Sequence, residues 1–242
     1  MGKLFVVGVG SGIYEDLTIR ADRTLKNSDL IYCDEKLYRS LMTHFDPKKI
    51  ISNSYNATRE RCMNAVKSAM QDKNVSIVGS GDTGIYGISS IMIQLVEEFC
   101  PDIDIEIIPG ITSFISGAAI LGSPLTKDFA IISLSDNFNE QEKTKERIEA
   151  VAKTNFGIVF YSPHNSTYHN LLMAREIILK YRSSETLIGI VKNIGSNDQS
   201  VTITNLSEID INDIDSLTTI FIGRDDTRVA DIKIKKMVTS LY

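Results

Sequence analysis

The chain has 242 residues, enough for one large domain or for two of about 120 each, and either could bury a sizeable core. With 43% hydrophobic and 24% charged residues the composition is ordinary for a globular protein. A net charge of −5 and a pI near 5.3 argue against a general nucleic-acid binder, whose affinity would come from basic residues neutralising phosphates. No apolar run approaches the roughly 18 residues of a membrane span, and no basic segment precedes a signal-type core. The expected compartment is therefore the cytoplasm, with no membrane partner. Cys33, Cys62 and Cys100 are odd in number and far apart, which suits neither a disulfide framework nor a zinc site. His44, His164 and His169 show no ligand spacing, so a protein-held metal is not expected.

In chain order, Leu4-Phe5-Val6-Val7 reads as a buried strand leading into Gly8-Val9-Gly10-Ser11-Gly12. Leu17, Ala21 and Leu25 recur at helical spacing, and the helix is placed from near Asp16 to about Asn27. Residues 29–33 form a second strand; Leu37, Leu41 and Met42 suggest a short helix, and Pro47 a loop. Asn56 is a candidate cap for a helix that turns Cys62, Ala65, Val66, Ala69 and Met70 inward. Strand 77–79 precedes a helix over 88–96, strand 103–108 has one wet face and ends at Pro109-Gly110, and a helix of small and apolar residues spans 113–121. Strand and helix alternate, which predicts a mostly parallel sheet with helices on its faces. Gly122-Ser123-Pro124 is the expected boundary between an N-terminal lobe, 1–122, and a C-terminal lobe, 123–242. Beyond it come strand 129–133, a charged helix over 140–154, strand 157–161, a helix through Leu171 to Tyr181, and β-rich runs at 187–191, 201–204 and 218–222. The tail from Arg228 fits strand or helix. The predicted fold is α/β in two lobes of similar size, and ligand pockets tend to sit between such lobes.

The chain is organised around Ile77-Val78-Gly79-Ser80-Gly81-Asp82-Thr83-Gly84-Ile85-Tyr86-Gly87. Four glycines within nine residues have little use in a core, because they lose the most backbone entropy on folding and pack no side chain. Two readings stand: a tight turn between strand and helix, or a backbone that lies against a ligand at a helix start. The first glycine run invites comparison with a dinucleotide fingerprint, with Asp29 or Asp34 as the ribose acid. Its sixth place is Ile13, whose branched side chain spoils the close packing a glycine would allow, and the helix starts late. Asp34 is therefore expected to be a solvated acid at a strand end, and no Gly-Lys-Ser/Thr supports a P-loop.

Taken together, Gly8-Val9-Gly10-Ser11-Gly12 with Leu17-Thr18, Ser80-Gly81-Asp82-Thr83-Gly84-Ile85-Tyr86-Gly87 and Pro109-Gly110-Ile111-Thr112-Ser113 resemble the tetrapyrrole methylases, the class III S-adenosylmethionine methyltransferases. Five further stretches are similar to one branch, which methylates C17 of precorrin-3B or cobalt-factor III in cobalamin synthesis. They are 121–125, 128–136 with Ile132-Ser133-Leu134-Ser135-Asp136, Phe160-Tyr161-Ser162-Pro163, Gly189-Ile190-Val191-Lys192-Asn193, and 218–223. The match runs through almost the whole chain.

The resemblance implies methyl transfer from S-adenosylmethionine to C17 in step with contraction of the macrocycle, a cofactor folded between two α/β lobes, and a homodimer. By motif position the cofactor contacts would be Ser11, Ser80, Gly81, Asp82, Ile85, Thr112 and Ser113, with Tyr161, Ser162, Asn193 and Thr218 from the second lobe. Relatives commonly read Gly-Pro-Gly-Asp where this chain has Gly10-Ser11-Gly12-Ile13, and Tyr-Asn-Pro where it has Tyr161-Ser162-Pro163. Methyl transfer needs alignment and a relatively dry pocket more than a strong base. Asp82 is the candidate fixed charge, against a turn-forming role; Tyr86, Ser135 and Asp136 are candidates for positioning or proton transfer, against a helix-capping role for Ser135-Asp136. Arg59, Lys127, Lys192, Arg224 and Arg228 could meet the carboxylates of the tetrapyrrole, although each alone also suits a solvated surface. Two rivals remain: a methylase acting on another carbon or substrate, and a protein that binds S-adenosylmethionine or tetrapyrrole without turnover.

Overall fold

A computed structural model describes residues 2–135, 141–161 and 168–241. By its contacts the chain divides between Ser113 and Phe114, ahead of the Gly122-Ser123-Pro124 turn.

In the first unit, strand β1 (Lys3–Gly8) sends alternate side chains to two cores, as the two-residue period of a strand requires. Leu4 and Val6 enter one core and Val7 the other. Around β1 lie β2 (Leu30–Asp34), β3 (Ile50–Asn53), β4 (Val75–Gly79) and β5 (Asp104–Ile108), all parallel, in the order β3-β2-β4-β1-β5. Helices α1 (Ile19–Asn27) and α2 (Glu35–His44) cover one face through Ala21, Leu25 and Leu41. Helices α3 (Thr58–Ala69) and α4 (Ser89–Phe99) cover the other through Cys62, Ala65, Val66, Met92 and Leu95. Each of the larger of these side chains contributes about 1.5–3 kcal/mol by leaving water.

Several expectations are corrected here. A short 3-10 turn, Tyr14–Asp16, occupies the predicted helix start, and α1 begins after Thr18, whose hydroxyl accepts the Ala21 N–H at 3.1 Å. Asp34 is buried: its carboxylate caps α2 by accepting the Lys36 and Leu37 N–H groups at 2.9 and 3.1 Å. Ala57, not Asn56, precedes α3, and Met70 lies past the helix end and faces solvent. Strand β3 went unanticipated because it is a four-residue edge strand directly after the turn at Pro47.

The second unit takes in α5 (Ser113–Leu121) from Phe114 onward, then β6 (Gly122–Ser123). It continues through β7 (Phe129–Ser133), α6 (Gln141–Lys153), β8 (Gly157–Tyr161), α7 (Tyr168–Leu179), β9 (Leu187–Lys192), β10 (Ser200–Asn205) and β11 (Thr218–Ile222). Its sheet runs β10-β9-β11-β8-β7; β7 and β8 are parallel and the other neighbours antiparallel. Residues of α6 and α7 bury one face together with Ile158, Phe160, Ile188, Ile190, Ile220 and Ile222. On the other face α5 lies so close that a Cβ at Gly117 would stand 2.8 Å from the Phe221 ring, and one at Gly189 2.5 Å from Leu121. The tail resolves into β12 (Thr227–Ala230) and β13 (Lys236–Thr239), which form a small sheet with β6.

Candidate functional site

Because β4, β1 and β5 are adjacent and parallel, their carboxyl ends open on one edge. The loops there touch backbone to backbone. Gly10 and Gly81 exchange two hydrogen bonds, the Gly10 N–H to the Gly81 carbonyl at 3.1 Å and the Gly81 N–H to the Gly10 carbonyl at 2.7 Å. Both are left-handed, with φ of +71° and +63°, where a Cβ is strained. A Cβ at Gly8 would stand 2.6 Å from the Gly110 nitrogen, and one at Gly110 would collide with the Gly81 carbonyl oxygen. Gly8 and Gly110 are required by close approach, Gly10 and Gly81 by their backbone conformation.

Asp82 ties this cluster together. One carboxylate oxygen accepts the Gly84 N–H at 2.8 Å and the other the Gly110 N–H at 3.0 Å, so the charge bridges the loops after β4 and β5. The turn-forming reading of Asp82 is thus part of the structure, widened to a second loop. Below it Thr83 is buried; its hydroxyl accepts from Ser89 Oγ and its carbonyl from the Ser89 N–H, both at 2.9 Å. Tyr86 is half exposed and left-handed at φ +52°, a costly conformation for a bulky residue that functional loops commonly hold. Ser80 is exposed, Ile85 half-buried, Thr112 buried and Ser113 half-buried at the start of α5; Ser11 Oγ donates to the Asp16 carboxylate at 3.4 Å. The connection from β1 runs through α1 on one face of the sheet and that from β4 through α4 on the other. This edge is therefore a topological switch point, where open parallel sheets bind ligands.

In the second unit, Ser133 pairs in register with Tyr161 and Lys192 with Thr218, which puts these residues along one edge of the mixed sheet. The Tyr161 hydroxyl accepts the Phe114 N–H at 3.1 Å, and the Ser135 N–H donates to Ser133 Oγ at 3.3 Å. Thr218 is buried and its hydroxyl donates to Asp215 at 2.8 Å; Asn193 is left-handed at φ +51°. Lys192 donates to the Asp213 carbonyl and carboxylate at 2.6 and 2.7 Å.

The expected substrate cations do not come together. Lys127 and Arg224 lie at the other edge of that sheet and both hold Asp226, at 2.6 and 3.1 Å. Hydrogen bonding to Lys127 lowers the Asp226 carboxyl below its ordinary range, against a smaller opposing effect of burial and with help from Arg224. Arg59 is exposed on α3, 3.9 Å from Glu98, and Arg228 is exposed on β12. Asp136 and Ser162 lie outside the described residues. Burial pushes the Cys33 thiol up to about 12 and Cys62 up to about 11, so neither supplies a thiolate nucleophile near neutrality. Among the described residues no group of His, Cys, Asp or Glu is arranged to hold a metal, and no helix is long and apolar enough to cross a membrane. Two features escaped the sequence reading: Gly8 and Gly110 as interlocking residues, signalled only by their motifs, and a buried Arg61, signalled by an arginine beside the inward-facing Cys62.

The model of the Tetrapyrrole (Corrin/Porphyrin) Methylases matches residues 3–210. The chain belongs to this family. A cobalt-factor III methyltransferase of Priestia megaterium is 35% identical over 93% of this chain, which spans 43% of that protein's length. A probable cobalt-factor III C(17)-methyltransferase of Methanocaldococcus jannaschii is 34% identical, over 98% of this chain and 96% of that one. The crystal structure of the methyltransferase CobJ superposes with a TM-score of 0.89 at 24% identity, covering 99% of this chain and 100% of that one. At that identity the likeness speaks for the fold alone.

Proposed function

We propose that this methylase transfers a methyl group from S-adenosylmethionine to C17 of cobalt-factor III or precorrin-3B, coupled to contraction of the corrin ring in cobalamin synthesis. The observation that carries the reading is similarity along nearly the whole of both chains to a probable cobalt-factor III C(17)-methyltransferase, joined to a glycine cradle at the switch point of the first sheet. The cradle fits the cofactor. Loops that leave no room for a side chain at 8 and 110, and hold 81 in the left-handed region, present main-chain N–H and C=O groups, which suit the amino-acid, ribose and adenine parts of such a molecule. Ser11, Ser80, Gly81, Asp82, Ile85, Thr112 and Ser113 would hold it from the first unit, and Tyr161, Ser162, Asn193 and Thr218 from the second. When bound, the cofactor supplies an electrophilic methyl on a sulfonium, to be taken by an electron-rich ring carbon.

The residues then have separate tasks. Asp82 fixes the two loops, since each of its oxygens already accepts a backbone N–H. Tyr86, left-handed and half exposed in the loop after β4, would orient the macrocycle or carry the proton that contraction requires. Ser135 and Asp136 are the matching candidates in the second unit. Tyr161 orders the start of α5 through the Phe114 N–H. The protein works in the cytoplasm as a homodimer in this reading, which gel filtration with light scattering tests.

The functional test is anaerobic incubation with cobalt-factor III and S-adenosylmethionine, followed by measurement of S-adenosylhomocysteine. Release that depends on the tetrapyrrole supports the enzyme. Tight cofactor binding without release for any tetrapyrrole would favour a binding protein.

A further inference from the structure

The loops that meet at the glycine cradle run over 9–18, 80–88 and 109–112, and none of them contains a lysine, arginine or histidine. Their carboxylates are Glu15, Asp16 and Asp82. Glu15 is exposed, and both oxygens of Asp82 are taken by the Gly84 and Gly110 N–H groups. Asp16 is different. It is half-buried, its Oδ2 accepts the Ser11 hydroxyl at 3.4 Å, and its Oδ1 has no hydrogen bond or ion pair among the described residues. Of the cations that follow on α1, Arg20 is held by Glu106, Lys26 by Asp22, and Arg23 is exposed.

Local folding directs Asp16 to the cradle. The turn Tyr14–Asp16 brings the chain back onto Gly10, where a Cβ would stand 3.6 Å from the Asp16 carbonyl oxygen and 3.8 Å from that of Ile111. Ile13, Tyr14 and Leu17 line an apolar pocket with Leu37 and Leu41 of α2. The Asp16 side chain instead reaches Ser11, the residue after the Gly10 that bonds to Gly81. Asp16 is not the cap of α1, since the Thr18 hydroxyl already accepts the Ala21 N–H. A half-buried carboxylate with an unused oxygen, among loops without a cation, sets a negative potential beside the cradle. A positive ligand group gains there, and an anionic one is repelled.

We propose that Asp16 is the residue by which the cradle recognises the positive charge of S-adenosylmethionine, its free oxygen taking a cationic group of the cofactor. Two groups share this chemistry, the sulfonium and the α-ammonium. The identity of the ligand rests on the methylase reading. Asp16 serves the cofactor and not the tetrapyrrole, whose carboxylates the same charge turns away from this loop.

The test is calorimetric titration of the whole chain with S-adenosylmethionine and with S-adenosylhomocysteine, which keeps the ammonium and lacks the sulfonium. Wild type is compared with Asp16→Asn and Asp16→Glu. Asp16→Asn retains an acceptor for Ser11 and removes the charge, so Tm stays close to wild type while the S-adenosylmethionine Kd weakens roughly tenfold or more. Asp16→Glu restores the charge and brings the Kd back to within about threefold of wild type. An equal loss for both ligands assigns the ammonium, and a loss confined to S-adenosylmethionine assigns the sulfonium; either supports the proposal. A folded Asp16→Asn protein with wild-type affinity for S-adenosylmethionine would overturn it. So would an Asp16→Glu protein as weak as Asp16→Asn, because charge would then not be the cause. If Asp16→Asn does not fold, Asp16→Ser removes the charge for the same comparison. Wild type that binds neither ligand would remove the cofactor reading together with the proposal. The expected losses without methyl transfer to cobalt-factor III would keep Asp16 as a cofactor residue and remove only the methylase reading.

Discussion

Replacing Asp82 by Asn keeps the side chain's size but leaves one acceptor oxygen where the wild type has two. One of the Gly84 and Gly110 N–H groups then faces an amide NH2, and the other loses the charge in its bond. Charge-assisted hydrogen bonds of this kind contribute roughly 1.5–3 kcal/mol each, less where solvent reaches them. Asp82→Asn is expected to lose about 2 kcal/mol of stability in urea unfolding, together with at least tenfold in S-adenosylmethionine affinity. A variant as stable as wild type that binds the cofactor normally would contradict the clamp. The dipeptide Gly81-Asp82 was legible as a loop in the sequence. Its partner Gly110 was not, because one sequence shows which residues turn but not which distant N–H a carboxylate will accept. The same limit explains Asp34, whose burial depends on the helix it caps and whose surroundings look polar along the chain.

At the scale of elements, long apolar strands and periodic helices were readable. The runs that became β1, β4, β8 and β11 are buried on both faces and contain little else. The elements that went unread are short. Strand β3 has four residues, two of them exposed, and β12 and β13 mix charged and apolar side chains, so neither periodicity prevails. The interlocked loops lead to a sharper expectation than either motif alone. A methyl group at 110 meets the carbonyl of Gly81 and the backbone of Gly8 at once, and backbone cannot rotate aside. Gly110→Ala is expected to destabilise the protein by about 2–4 kcal/mol, in the range of severe overpacking or strain. Gly12→Ala, with no atom near the added carbon, suffers only the strain of its φ of +103°. Equal losses for the two variants in denaturant titrations would show that close approach is not the reason for glycine at 110.

For the whole molecule, two α/β units and a methylase were legible because motifs spread through the chain fall in order on strand ends. The candidate substrate cations were not, since spacing along a chain says nothing about which edge of a sheet a loop reaches. Lys127 and Arg224 turn out to serve Asp226, and that triad makes its own prediction. The Asp226 carboxyl is lowered by Lys127, so its contribution is complete above the ordinary carboxylate value of 3.8 and is lost as pH falls through the depressed folded value. Asp226→Asn should reduce stability near pH 7 by about 0.5–1 kcal/mol, given the partial exposure of all three side chains. The difference from wild type should vanish in strong acid; a gap that persists there would mean that packing, not charge, is at work.

The central claim concerns which carbon is methylated. Cobalt-factor III incubated anaerobically with S-adenosylmethionine carrying a labelled methyl, and read by mass and carbon NMR, addresses it directly. One added methyl at C17 on a contracted ring is the expected product. A label at any other ring carbon, or none on the macrocycle, would contradict it.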